Sequence, residues 1–599
     1  MKGKKDMWYL DRIKANLTEA DRRRLNAVYE PFVAAVPPDD SRRGLCVMPN
    51  GELRCYGVEG RTHGKREGGR MIYLYSRNGL DWTRGEAPED AAPVDSSSLV
   101  GNGRAVMGSA MRIPWSGSYI TVVAWKEGEH AGTWAELSET GPGDTDVRLV
   151  KICDEICFDL FRPVVLSSRK RLIVTAYISG EAGGHPCVLI SDDDGESWRI
   201  VPLKPAPEHT VVFPHRGTRW QNNGVEPNLA ELPDGRLMLL ARTSLDYFYV
   251  YYSEDQGDSW TAGEPSLFHG TLTTPYLLRL SDGRVICFWN NTRPLAEVNH
   301  DLTWPPVSDS VKNGFSEDVF TNRDVSHVAI TSDGRNWTGF RELALNEVRN
   351  AADFRVRGGS GSSIDKSVHQ FQALELPYGK ILVSYGQNAV SRRLAVFDVD
   401  WLYERQRSED FSLGLEHLST HLYVKSLSDS CIARGYNGHC AWNRTNGALL
   451  VPDPDCNGGE VLQICRIHDE RLVSELQGAV WNFPAAARGT LKLQLRIEGS
   501  GLRVRLCDHW MNPSDEYAGL YAVYDFELDS RTLEPAVWHD VTIAFDRGQA
   551  SVFCENRLLF YVRQKAPAPT GISYLHMQTM AECHDPCGTL VRRMEFYGD

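Results

Sequence analysis

The chain has 599 residues, of which 42% are hydrophobic and 24% charged, and its formal net charge is −14. That length exceeds what a single core usually serves, so two or more domains are expected. The balance is that of an ordinary globular protein; the acidic charge excludes the basic footprint that nucleic acid requires, and any anionic substrate has to be gripped locally by arginines.

The N-terminus, "MKGKKDMWYLDRIK", is basic but has no apolar segment of the kind a signal peptide carries. Residues 1–40 are expected to form a helical extension, and the default location is a reducing cytoplasm. No apolar run reaches the roughly 18 residues of a membrane helix, so no membrane partner is expected. The 14 cysteines are scattered. Only "CHDPC", with Cys583, His584 and Cys587, brings possible metal ligands together, and reduced structural cysteines are the favoured reading. No cofactor and no metal are implied, and the oligomeric state is open.

Two interleaved repeats follow. "SDDDGESW" (191–198) and "SEDQGDSW" (253–260) share the pattern Ser-x-Asp-x-Gly-x-Ser-Trp. Asp and Ser side chains fold such a turn on itself, Gly195 and Gly257 supply the left-handed backbone, and Trp198 and Trp260 tuck beneath. Each copy follows a strand-like run, "HPCVLI" or "DYFYVYY", and so predicts a hairpin tip. "YSRNGLDW", ending at Trp82, and "TSDGRNW", ending at Trp337, are degenerate copies. The second repeat consists of the tight turns "PNGEL", "PDGRL", "SDGRV" and "PYGKI", with "WSGSY" and "SSRKRL" where two more would fall. Together they give six units of roughly 60 residues between about residues 40 and 400, the signature of a β-propeller. The competing reading is a large β-sandwich with chance turns.

After "VFDVDWLYERQRSEDF" the turns stop. Runs such as "LKLQLRIEGSGLRVRLCD" and "WHDVTIAFDRGQASVFCENRLLFYV" predict more strands. The fold class expected is therefore all-β: a six-bladed β-propeller over 41–405, followed by a β-sandwich of jelly-roll type over 406–599. The last run resembles the lectin-like pattern of laminin-G or concanavalin-type modules. A structural sandwich packed on the propeller is favoured over an independent sugar-binding module.

The octapeptides are those called Asp boxes or BNR repeats, and residues 40–400 resemble the six-bladed sialidase-like propeller. The Asp box itself lies at the rim and occurs in non-enzymes too, so it speaks for fold rather than function. The resemblance implies a site with three arginines holding a carboxylate, a tyrosine nucleophile paired with a glutamate, and an aspartate acid. Guanidinium groups bind carboxylates bidentately, and a tyrosine needs an adjacent base to attack near neutral pH.

In "NNGVEPNLAELPDGRLMLLARTS", Glu226 opens one strand and Arg242 ends the next. These positions match the base-like glutamate and a carboxylate-binding arginine. An arginine beside Glu226 suits it to a base or electrostatic role. Arg323 fits the third arginine, with Asp324 next to it to aim it, and Arg42 or Arg43 fits the first. The tripeptide Arg112–Ile113–Pro114 matches the family's signature but falls in the wrong blade.

Two positions depart from the family. Counting back from Gly379 reaches Gln370, beside His369, where the tyrosine is expected. The stretch expected to hold the acid has no aspartate and offers Glu59, Arg61, His63 and Glu67. Near the last blade, Asp365, Lys366, His369 and Gln370 form a dense polar cluster, and strand alternation puts Asp365, Ser367 and His369 on one face. The long segment 290–324 adds Arg293, Glu297, His300, Asp301, Glu317 and Asp318, and long loops often cover sites.

The expected catalytic set is Glu226, Asp365 and His369. Arg43, Arg61, His63, Arg242, Arg293, Arg323 and Gln370 are expected to bind substrate. The function expected is a glycoside hydrolase, exo-acting on an acidic or sialic-acid-like sugar by chemistry that does not use the usual tyrosine. The alternatives are a non-catalytic carbohydrate-binding protein and a polysaccharide lyase, in which His63 or His369 would abstract a proton.

Overall fold

A computed structural model describes residues 8–38, 44–59, 70–86, 104–107, 111–139, 146–158, 160–161, 163–166, 169–178, 185–214, 222–270, 272–294, 322–345, 368–386, 391–427, 442–455 and 458–599. Arg43, Arg61, His63 and Asp365 lie outside them, as do Glu67, Lys366, Ser367 and the carboxylates and histidine named in 295–321.

Among the described residues, six antiparallel sheets follow one another along the chain. The tight turns join the first two strands of each. "PNGEL" links Leu45–Val47 to Leu53–Glu59, "PDGRL" links Asn223–Glu231 to Leu237–Thr243, and "SDGRV" links Tyr276–Arg279 to Val285–Trp289. The second strands read as apolar runs because both faces are covered: every residue of Tyr119–Trp125 and of Val285–Trp289 is buried. Neighbouring first strands are stitched across sheets. Leu277 N–H donates to Asn228 Oδ1 at 2.8 Å, and Gln372 Nε2 and Oε1 bond Leu45 O and N at 2.9 and 2.8 Å. The last of these joins the sixth sheet to the first and closes the ring, which is the propeller.

The closure has a second part that the sequence reading did not foresee. Phe32–Ala35 is the outer strand of the sixth sheet and pairs with Arg393–Asp398. Helices Trp8–Asn16 and Glu19–Ala27 precede it, the second opened by a capping box of Thr18 and Asp21. Ile13, Leu17 and Leu25 pack with Leu45, Leu53, Leu374 and Leu394 from the first and sixth sheets. The N-terminal segment thus ties the two ends of the ring.

The octapeptides are hairpin tips between the third and fourth strands. Ser191 Oγ accepts from Gly195 N at 2.9 Å, Asp193 Oδ1 from Ser197 N at 2.8 Å, and Trp198 Nε1 donates to Gly195 O at 3.0 Å. Residues 253–260 repeat the pattern, with 2.7, 2.8 and 3.1 Å. Gly195 and Gly257 have φ of +90° and +101°. A Cβ at Gly257 would stand 3.1 Å from Ile173 of the preceding sheet, so each tip leans on its neighbour. The degenerate copies keep the frame: Gly79 N donates to Ser76 Oγ at 2.9 Å and Gly334 N to Thr331 Oγ1 at 3.0 Å.

The remaining strands form an eight-stranded and a five-stranded antiparallel sheet, with a two-stranded ribbon. Strand Gly489–Ile497 alternates buried and partly exposed residues, as expected when one face meets a core. Trp481, Phe483, Leu493, Phe545 and Phe596 fill the space between the sheets. This sandwich meets the fifth propeller sheet through buried polar contacts: Tyr574 Oη lies 2.5 Å from His327 Nε2 and 2.9 Å from Glu342 Oε2.

Candidate functional site

Three sheets converge on one end of the ring. In the fourth, Pro227 has no N–H to give the ladder. The pairing slips there, with Val225 opposite Arg242 but Asn228 opposite Leu240. Glu226 sits in this bulge with φ of +45°. Bulges re-aim side chains, and this one turns the Glu226 carboxylate onto Arg242. Arg242 Nη1 donates to Glu226 Oε2 at 2.6 Å, and Thr274 Oγ1 donates to the same oxygen at 2.5 Å. The pair is close to buried, each side chain 12% exposed.

Thr274 precedes the first strand of the fifth sheet, in the run "TLTTP". Leu272 within it has φ of +52°, and its carbonyl accepts from Arg323 Nη2. Arg323 is buried, and its own carbonyl accepts from Val368 N at 3.1 Å, the lead-in to the sixth sheet. Asp324 does not aim Arg323, as the sequence reading expected. It turns instead to Arg444, to Tyr423 Oη at 2.5 Å and to His421 Nε2 at 3.4 Å. Burial alone would push its carboxyl up, but Arg444, His421 and Tyr423 hold it far below the usual carboxylate range.

His369 is fully buried in the sixth sheet's lead-in. Its Nδ1 lies 2.8 Å from Asn290 Oδ1, while Asn290 Nδ2 donates to Val325 O and Val368 O at 2.7 and 3.1 Å. With the amide nitrogen committed to two carbonyls, Asn290 Oδ1 is an acceptor, so Nδ1 of His369 carries the hydrogen. Gln370 beside it has φ of +64°.

Glu226 and Gln370 thus occupy one equivalent place, the entry to the first strand, in the fourth and sixth sheets, and Leu272 lies two residues before it in the fifth. Each is a non-glycine residue in the left-handed region, which costs about 1–2 kcal/mol and is held only where surroundings over-determine it. Glu226, Arg242, Arg323, His369 and Gln370 are brought to this end of the ring. Arg293 turns toward the sandwich: Nη1 reaches Asp246 Oδ2 at 3.1 Å, and the guanidinium lies 4.6 Å over the Tyr521 ring. Arg112 sits at the opposite end, beside the turn in which Gly117 N bonds Ile113 O at 2.9 Å. Cys583 and Cys587 are exposed and free, far in sequence from this site. Sequence reasoning missed Thr274, Asn290 and the role of Pro227. Of these, only the Glu–Pro step in "VEPN" carried a local signal, a proline interrupting a strand.

The fold and its repeats define a β-propeller built on BNR repeats. Residues 161–385 match the family model of the BNR repeat-like domain. Among solved structures, the chain is similar to a protein of unknown function from Dyadobacter fermentans, at 15% identity over 62% of this chain and 97% of that one, with a TM-score of 0.39. It is also similar to Trypanosoma rangeli sialidase in complex with 2,3-difluorosialic acid, at 12% identity over 94% of this chain and 91% of that one, with a TM-score of 0.36. No curated protein matches the chain.

Proposed function

We propose that the protein is a glycoside hydrolase that takes an acidic sugar, a sialic acid or uronic acid glycoside, by its terminal residue. The observation that carries this reading is the Glu226 carboxylate fixed between Arg242 and Thr274 at the ring's end, with Arg323 on the adjoining sheet. Two pre-oriented guanidinium groups suit capture of a carboxylate. Glu226, its carboxylate held by an arginine and a hydroxyl, serves as base or electrostatic partner, and an acid comes from Asp365 or a carboxylate of the 290–324 segment. His369, enclosed and fixed through Asn290, positions the sixth-sheet entry and Gln370 within it. Gln370 in place of tyrosine means that ordinary sialidase turnover is weak or absent.

A second reading, a carbohydrate-binding protein without turnover, is favoured by the enclosure of His369 and by Gln370. A panel of 4-methylumbelliferyl sialosides and uronides separates the two. Hydrolysis that is lost in Glu226→Gln supports the enzyme. Saturable binding with no release of fluorophore supports the binder. Release accompanied by an unsaturated, ultraviolet-absorbing sugar would make it a lyase.

A further inference from the structure

A second polar cluster lies where the propeller meets the sandwich. His269 ends the outer strand of the fourth sheet, Glu264–His269, and Asp508 and His509 follow the sandwich strand Leu502–Cys507. One ligand-type atom from each of the three lies within 4.8 Å of the others. His269 Nε2 is 3.4 Å from Asp508 Oδ2, His509 Nδ1 is 2.5 Å from Asp508 Oδ1, and the two imidazole centroids are 4.3 Å apart. The side chains of His509 and Asp508 are only 2% and 7% exposed.

This arrangement is costly as it stands. With Nδ1 of His509 engaged by Asp508, its Nε2 is buried without a hydrogen-bond partner, a polar atom whose desolvation nothing in the protein offsets. The backbone that presents Asp508 and His509 is rigid: Asn291 Nδ2 donates to Asp508 O at 3.0 Å, and Trp510 N donates to Asn291 O at 2.9 Å. Arg293, whose charge bears on His509, is engaged by Asp246 and stacked on Tyr521.

We infer that His269, Asp508 and His509 bind a divalent transition-metal ion that pins the propeller to the sandwich. Two imidazoles and one carboxylate are a three-ligand N/O set suited to zinc, leaving a fourth position for water on the more exposed His269 side. The absence of thiolate disfavours copper(I), and the imidazoles disfavour calcium. The 3.4 Å between His269 Nε2 and Asp508 Oδ2 fits two bonds of about 2.0 Å at a tetrahedral angle, whereas the 2.5 Å between His509 Nδ1 and Asp508 Oδ1 is a hydrogen-bond spacing that widens when the ion binds.

The test uses the full chain, treated with chelator and titrated with Zn²⁺ or Co²⁺ alone. One equivalent should bind, the melting temperature should rise with metal concentration, and Co²⁺ should give the visible absorption of a low-coordinate N/O site. His269→Gln, at the more exposed ligand, should melt with the metal-free wild type yet lose affinity by at least about 100-fold. Cys554→Ser, in the separate group of His539, Cys554 and Glu555, should bind as wild type. Absence of stoichiometric binding, wild-type affinity in His269→Gln, or loss confined to Cys554→Ser would overturn the proposal.

Discussion

The two ends of the propeller use polar side chains in opposite ways. At the Asp-box end, each turn satisfies its own polar groups within a few residues, and the left-handed positions are Asp194–Gly195 and Gln256–Gly257, inside the turns themselves. Neighbouring boxes are joined by Arg171, which bonds Asp192 of one box at 2.7 Å and Asp258 of the next at 2.8 Å. At the other end, Glu226, Thr274 and Asn290 find side-chain partners on neighbouring sheets, and the left-handed positions are Glu226, Leu272 and Gln370. The first end is assembled for stability. The second holds a nearly buried ion pair, the feature on which the proposed function rests.

That contrast can be broken by mutation. The largest effect is expected from Glu226→Gln, which should lower turnover of the true substrate by about 10²- to 10⁴-fold while melting near the wild-type temperature. Arg242→Ala should lower turnover similarly but also melt earlier, because the nearly buried Glu226 carboxylate loses its cation. Kinetics and thermal melts on the same preparations check this. Trp260→Ala should do the reverse. Loss of an indole packed beneath its turn should cost about 2–4 kcal/mol in denaturant unfolding, with turnover per folded molecule unchanged.

Acid should act on the Asp-box end. Arg171 holds the Asp192 carboxyl down at about 2, and backbone N–H bonds, outweighing burial, hold Asp333 at about 2 also. Both are depressed below the ordinary value of 3.8, so their contribution is complete above that pH and is lost as pH falls from about 4 toward 2. Stability measured across that window should drop more steeply in the wild type than in Asp192→Asn. The smallest effect is expected from Gln370→Gly: relief of the left-handed backbone should raise stability by up to about 1 kcal/mol, and turnover should fall as the sixth-sheet entry loosens.

The same contrast explains what could be read from the sequence. The turns and Asp boxes were legible because their bonds close within one octapeptide, so composition and spacing carry them. Glu226 and Arg242 were legible because a single hairpin joins them. Thr274 and Asn290 were not, since their partners lie on other sheets and threonine or asparagine at a strand end has many ordinary uses. Asp324 was misjudged for a related reason: adjacency to Arg323 said nothing about Arg444, which lies 120 residues on in the two-stranded ribbon. The closing strand Phe32–Ala35 was also invisible, because "FVAA" becomes a strand only beside Arg393–Asp398.

The central claim is that Arg242 and Arg323 recognise a carboxylate. Calorimetric titration of the wild-type protein with an acidic sugar, and with the methyl ester of the same sugar, tests it most directly. The account predicts saturable binding of the free acid, weakened at least about tenfold by esterification or by Arg242→Ala, as loss of a charge-assisted bidentate pair requires. Equal affinity for acid and ester, or undiminished binding in Arg242→Ala, would contradict it.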